Sequence, residues 1–403
     1  MVKITLELIL LLTLQTNLKP KISINNILFI SSWYPNDEDP TLGIFIKRHA
    51  YAAATLNNVA VLIVRSDSKI KKYESSFKEE NGIKEMIITY PKIRYSIRGI
   101  SDIFKIKYYK KYHEIGLQLL IKKGFNPDIV HCNVINPVGI VAKLFKQKHD
   151  IPFVITEHWT GYLKSDGRYQ KNKLLKIIVP KIAKLSEALM PVSLDLKRAL
   201  EKHGIGDNYN IVRNVVNTND FIIQDKLKNQ FLVVADLENK QKNISGIIKA
   251  FDIFNKSNPK IKLKIAGGGS DEKDIKNLVN QLNLNEQVIF LGRVPASILC
   301  EEFNRSFAGI LFSNYENLPC VIVEAFACGT PFISTNVGGI DEIINIERGI
   351  LIEPNSEEQL LLAMSKAITT SWDRNKIRHY AEQNFSEEFI GKEFNKVYNS
   401  IKF

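Results

Sequence analysis

A rhythm of apolar runs and helical stretches passes through this chain twice, and it constrains the fold more than any other feature. Short, almost wholly apolar runs stand at "NILFISSW" (26–33), "VAVLIV" (59–64), "PDIVHC" (127–132), "PFVITEH" (152–158) and "ALMPVS" (188–193). Stretches of helical pattern lie between several of them, at 43–56, 101–123, 136–148 and 171–187. The pattern restarts at "FLVVAD" (231–236) and continues through "KLKIAG" (262–267), "QVIFLG" (287–292), "GILFS" (309–313) and "PFIST" (331–335). Helical stretches fill these gaps too, at 243–257, 271–283, 295–304 and 319–328. Continuously apolar strands alternating with helices belong to parallel sheets covered on both faces. The fold class expected is therefore α/β, with two doubly wound, Rossmann-like domains. Ligands of open parallel sheets bind beyond the carboxyl ends of the strands, so two facing domains enclose a central cleft.

A chain of 403 residues exceeds one typical core, which agrees with two domains. The turn-prone "HGIGDNYN" (203–210) marks the joint. The first domain is expected at 23–205, the second at 206–385, and a last helix, 386–403, packing back on the first domain. Residues 1–22 read as an N-terminal extension. Their apolar stretch resembles a signal-peptide core, but Glu7 interrupts it and no small-residue cleavage site follows.

Composition removes several function classes. Four scattered cysteines without a C-x-x-C pair fit neither a disulfide framework nor a zinc site, and favour a reduced, cytoplasmic location. Residues 1–200 carry 32 Lys and Arg against 17 Asp and Glu, a net of +15, whereas the rest carry 23 against 26, a net of −3. Such asymmetry points to an anionic partner for the first half. Nucleic acid is disfavoured because no helix-turn-helix, zinc-finger or RNP-type signature is present. An anionic membrane surface or a phosphate-bearing lipid fits better; a merely solvated basic face is the bland alternative.

Residues 311–330, "LFSNYENLPCVIVEAFACGT", hold two glutamates in unlike settings. Glu316 lies in a loop-forming stretch, whereas Glu324 stands among apolar neighbours, where a carboxylate is costly without a partner. A nicotinamide dehydrogenase is excluded at the glycine run 267–269, because Glu272 occupies the place of the third glycine in G-x-G-x-x-G. On one helix the two glutamates would stand ~12 Å apart along the backbone, which is wide for a glycosidase pair.

With these motifs the chain resembles the family 4 glycosyltransferases of the two-domain GT-B type, from about residue 26 to the C-terminus. "ENLPCVIVE" matches the family's carboxylate pair. It is supported in order by "IVRNVVNTNDF" (211–221), "KNISGIIKAF" (242–251), the segment 263–294 and "GTPFISTNVGGIDEII" (329–344). "SSWYPNDEDPTLGIFIKRHA" (31–50) is similar to a subgroup concerned with surface polysaccharides. The resemblance implies a retaining, metal-independent hexosyl transfer from a nucleotide diphosphate sugar, a UDP- or GDP-sugar, with no cofactor.

Residue by residue, the resemblance implies that Glu324 accepts from the ribose hydroxyls and Glu316 from the transferred sugar. Asn317 and Leu318 would offer backbone N–H groups nearby. Lys242 matches the family's basic residue for the leaving diphosphate, and the resemblance implies Lys242, Glu316 and His158 as the catalytic residues. The family's neighbouring arginine is replaced by Asp236, with Arg213 or Lys240 as candidate compensation. Gly43 would let backbone approach a phosphate, and Gly267 and Arg293 would line the base pocket. His158 matches a histidine near the reacting sugar. His131, also at a strand end, is placed on the acceptor side. The basic, aromatic stretches 94–113 and 168–185 suit a saccharide acceptor carried on a lipid, at the inner face of a membrane. Two readings compete: a nucleotide-sugar epimerase or phosphorylase of the same architecture, and a noncatalytic nucleotide-sugar-binding scaffold.

Overall fold

The computed structural model describes residues 24–36, 39–92 and 98–402. The expected extension 1–22 lies outside the described residues. The first sheet contains β1 (Asn26–Ser31), β2 (Asn58–Asp67), β3 (Glu74–Glu80), β4 (Ile83–Pro91), β5 (Ile129–Asn133), β6 (Phe153–Glu157) and β7 (Ala188–Pro191). Their spatial order is β3-β4-β2-β1-β5-β6-β7, parallel except for β3, which pairs antiparallel with β4. The second sheet contains β8 (Gln230–Val234), β9 (Lys262–Ala266), β10 (Val288–Gly292), β11 (Ser306–Leu311), β12 (Phe332–Thr335) and β13 (Gly349–Ile352). It is wholly parallel, in the order β10-β9-β8-β11-β12-β13. Both sheets reverse their strand order beside their first strand, between β1 and β5 and between β8 and β11. Beyond the carboxyl ends at such a reversal, the outgoing loops diverge and leave a crevice.

The expected architecture of two doubly wound α/β domains is what the chain adopts. Three strands, β3, β4 and β13, were not among the runs read from sequence. The helix Glu387–Ser400 packs on the first domain: Ile390, Phe394 and Tyr398 share a core with Ile27, Phe29, Ile46 and Ala50. Gly391 allows the close approach, since a Cβ there would lie 2.3 Å from the Ala52 carbonyl oxygen. The chain thus ends by fastening itself to the domain in which it began.

Candidate active site

Nearly every expected site residue follows the carboxyl end of a strand, and the fold therefore gathers them. His158 follows β6, Asp236 and Lys242 follow β8, and Gly267 follows β9. Arg293 follows β10, and Glu316, Asn317 and Leu318 follow β11. All of these line one cavity of about 390 Å³ between the domains, joined from the first domain by Thr41, Phe45 and Thr160. That volume is in the usual range of small-molecule sites.

At the cavity wall, Lys242 Nζ lies 2.5 Å from Glu316 Oε1, with both side chains mostly buried. The two loops that carry them are laced together. Asn314 N donates to the Gln241 carbonyl at 2.7 Å, and Gln241 Nε2 donates to the Tyr315 carbonyl at 3.2 Å. From below, Gly338 lies against Glu316: its φ is +60°, and a Cβ there would lie 1.9 Å from the Glu316 carbonyl oxygen. Gly339 N donates to the Asn317 carbonyl at 2.9 Å. The loop after β12 is therefore a floor for the Glu316 loop, and only glycine fits at 338.

Immediately after Leu318, the helix Cys320–Ala327 begins with extended Pro319 as its N-cap and no side-chain cap. Cys320 and Val321 line the cavity, so the uncapped, positive end of this helix faces it. An ammonium group, a carboxylate and a helix N-terminus thus converge on one space. Three buried polar atoms there lack a protein partner: His158 Nε2, Asn214 Oδ1 and Asn317 Oδ1.

His158 is held in place rather than solvated. Its carbonyl accepts from Asn317 Nδ2, linking the domains, and its ring lies 4.5 Å from the Phe45 ring. Burial, with His49 and His131 nearby, holds its pKa well below the usual histidine value, so the ring is neutral at pH 7. Beside it, burial raises the Glu157 carboxyl to about 7, although N–H groups of Ile135, Trp159 and His158 donate to it.

Arg293 stands at the cleft mouth. Its Nη1 lies 2.8 Å from Asp39 Oδ1, it also bonds the Thr41 hydroxyl, and its Nη2 lies 3.6 Å from Asp236 Oδ1. It therefore ties the second domain to the first, besides bringing positive charge to the place where Asp236 stands. Gly267, with φ +139°, has no room for a side chain, because a Cβ would lie 1.9 Å from the Ala235 carbonyl oxygen. Gly43, at φ +62°, borders a smaller neighbouring cavity with Asp236, Gly268 and Gly269.

Three expected site residues stand elsewhere. His131 is fully buried, with Nδ1 2.7 Å from the Tyr398 hydroxyl and Nε2 2.6 Å from Thr156 Oγ1. Both ring nitrogens are occupied inside the first domain, so it is a core residue and not an acceptor-side group. Arg213 does not line the cavity; its Nη2 lies 3.2 Å from Glu342 Oε2, and so it does not replace the arginine absent at 236. Glu324 also lies outside the lining. Its Oε1 is 2.6 Å from Nη1 of Arg48, on the helix Ile44–Ala54 of the first domain. The Arg48 guanidinium answers the charge of this buried carboxylate. Sequence reading missed Arg48 and also Asn214, whose Nδ2 donates to the Leu318 carbonyl at 2.5 Å. Asn214 lay within a quoted motif, whereas nothing in the local sequence signals Arg48.

Comparison with known proteins is consistent along the chain. Residues 52–220 match the model for Glycosyltransferase Family 4, and residues 217–384 match the model for Glycosyl transferases group 1. The chain belongs to the family 4 glycosyltransferases. It is 29% identical over 326 residues to an uncharacterized glycosyltransferase of Methanocaldococcus jannaschii, covering 80% of this chain and 83% of that one. Among solved structures, sucrose-phosphate synthase of Thermosynechococcus elongatus is similar at a TM-score of 0.72 and 19% identity, covering 93% of this chain and 98% of that one. HepE of Anabaena, solved with UDP and glucose, is similar at a TM-score of 0.69 and 15% identity, over 94% and 100% of the two chains. These glycosyltransferase relatives share the two-domain GT-B fold.

Proposed function

We propose that this glycosyltransferase moves a hexose or hexosamine from a nucleotide diphosphate sugar to a saccharide acceptor carried on a lipid, with retention of configuration. The observation that carries the reading is the Lys242–Glu316 pair beside the uncapped N-terminus of Cys320–Ala327. The donor's diphosphate takes the charge of Lys242 and the helix end, which act most strongly where negative charge develops on the leaving group. Glu316 accepts from hydroxyls of the transferred sugar through the carboxylate oxygen that Lys242 does not hold. Asn214 Oδ1 and Asn317 Oδ1 are further acceptors for donor hydroxyls. The neutral His158 ring borders the reacting sugar and brings no extra charge. The leaving diphosphate helps take the acceptor's proton, so neither glutamate shuttles it. The cations and helix end on the wall meet the diphosphate's charge without a metal ion. HepE, solved with UDP and glucose, supports a UDP-sugar as the first donor to test.

The experiment is a thermal-shift panel of UDP- and GDP-sugars on the purified chain, followed by turnover of the stabilising donor. Binding at a hundred times Kd stabilises by about 2.7 kcal/mol. Glu316→Gln loses a charge-assisted hydrogen bond worth about 1.5–3 kcal/mol, or roughly 10- to 150-fold in turnover. Undiminished transfer by that variant refutes the role given to Glu316. A chain that a nucleotide sugar stabilises but that transfers no sugar points instead to the noncatalytic scaffold, and one that no nucleotide sugar stabilises contradicts the donor assignment.

The basic half of the chain supports attachment at an anionic membrane surface. The helix Arg98–Lys122 presents Ile103 and Ile106, 69% and 40% exposed, among lysines. No helix among the described residues is long and apolar enough to cross a membrane. Co-sedimentation with phosphatidylserine vesicles at low salt, weakened at moderate salt, is the expected result. Failure to sediment at low salt removes this part of the reading.

A further inference from the structure

A second cavity, of about 330 Å³, lies wholly within the first domain, at the carboxyl ends of β2 and β4. Tyr90, Tyr108, Tyr109, Pro137 and Ile140 make its walls, and Ser66, Lys92 and Lys105 are its polar lining. The walls are built rather than incidental. Tyr90 stacks on Tyr112 at 4.6 Å, and the Tyr109 hydroxyl lies 2.9 Å from Ser32 Oγ. Ser32 directly follows β1, at the start of the loop that runs to Thr41 in the cleft. Ser66 and Lys92 also border a polar groove of about 560 Å³, which reaches Asn36 in that same loop.

This arrangement selects one kind of occupant. A bare saccharide in the apolar part would lose water from its hydroxyls with few partners in return. An aliphatic chain gains from the same walls, and the two lysines offer charge to one anionic group. The outer wall is the helix Arg98–Lys122, which also presents Ile103 and Ile106 to solvent. The cavity therefore stands beside the apolar, basic stripe that suits a lipid surface. We propose that it binds the first part of the aliphatic chain of a lipid phosphate or diphosphate, with Lys92 and Lys105 on the phosphate and the polar groove leading the attached saccharide toward the cleft. This deepens the reading of a lipid-carried acceptor given above and rests on it.

Geranyl phosphate, below its aggregation concentration, is the probe, titrated calorimetrically into the full chain. It should bind at least tenfold more tightly than either geraniol or inorganic phosphate. Ile140→Trp, which fills the cavity, should weaken it at least tenfold, and so should the milder Tyr108→Ala. Joint Lys92→Gln and Lys105→Gln replacement should weaken geranyl phosphate while leaving geraniol unchanged. Thermal stabilisation by UDP or GDP should persist in every variant. Equal binding by the parent and by both cavity variants overturns the proposal, as does inorganic phosphate binding as tightly as geranyl phosphate. A nucleotide shift without geranyl phosphate binding overturns the pocket and leaves the transferase reading. Variant-sensitive geranyl phosphate binding without any nucleotide shift supports the pocket and overturns the donor assignment.

Discussion

A carboxylate withdrawn from water requires a partner, and Glu316 and Glu324 find different ones. Glu316 meets Lys242 across the wall of the cleft, whereas Glu324 meets Arg48 from the other domain. The first pair lines the cavity between the domains; the second ties one domain to the other. How the Glu316 carboxylate is held depends on a residue with no side chain. Replacing Gly338 by Ala puts a methyl group onto the Glu316 carbonyl at a φ of +60°. The left-handed backbone alone costs about 1–2 kcal/mol, and the contact must be relieved by moving the Glu316 loop. Gly338→Ala is expected to cut transfer at least tenfold and weaken nucleotide stabilisation. Gly82→Ala is the control: it also has positive φ, but nothing lies within 4 Å of its added Cβ. It should cost about 1 kcal/mol of stability and leave transfer unchanged. Equal turnover in the two variants shows that the floor does not position Glu316.

Element by element, the parallel strands were legible because burial on both faces leaves a continuous apolar run. β3, "ESSFKEE", was not, since almost all of it is exposed and its charges suit a sheet edge. The remaining signal was Asn81-Gly82, whose φ values of +50° and +77° suit the tight hairpin that turns β3 into β4. Cavity-lining residues that follow strand ends inside recognisable segments, such as Lys242, Glu316 and His158, were legible for the same local reason. Arg48 and His131 show the limit. Arg48 acquires its role only when a helix of one domain approaches a helix of the other. His131 looked like a site residue at a strand end, but its partner Tyr398 lies 267 residues away in sequence. That bond belongs to the last helix, whose return to the first domain decides which histidines are core.

At the scale of the molecule, burial sets how stability varies with pH. Burial pushes His49 and His113 down to about 4 and holds His131 and His158 well below the ordinary value. Their unfolded counterparts take up protons below about pH 6.5 while the folded rings remain neutral. Each therefore contributes stability that is present above that pH and lost as the pH falls, at about 1.4 kcal/mol per unit until its folded pKa is reached. Glu157 acts in the opposite sense. Burial raises it to about 7, so its contribution is full below the unfolded value of about 4.5 and is lost as the pH rises through 7. Burial also raises Asp195 and Glu387, which act in the same sense as Glu157, and four rings against these three carboxyls give a net loss of stability between pH 6.5 and 4.5. The thermal midpoint at constant ionic strength should fall across that interval. His113→Leu, on the helix Arg98–Lys122, removes one of the four and should make the fall shallower. Glu157→Gln removes one opposing group and should make it steeper. A midpoint that stays level or rises toward pH 4.5 contradicts the buried, neutral state of these rings.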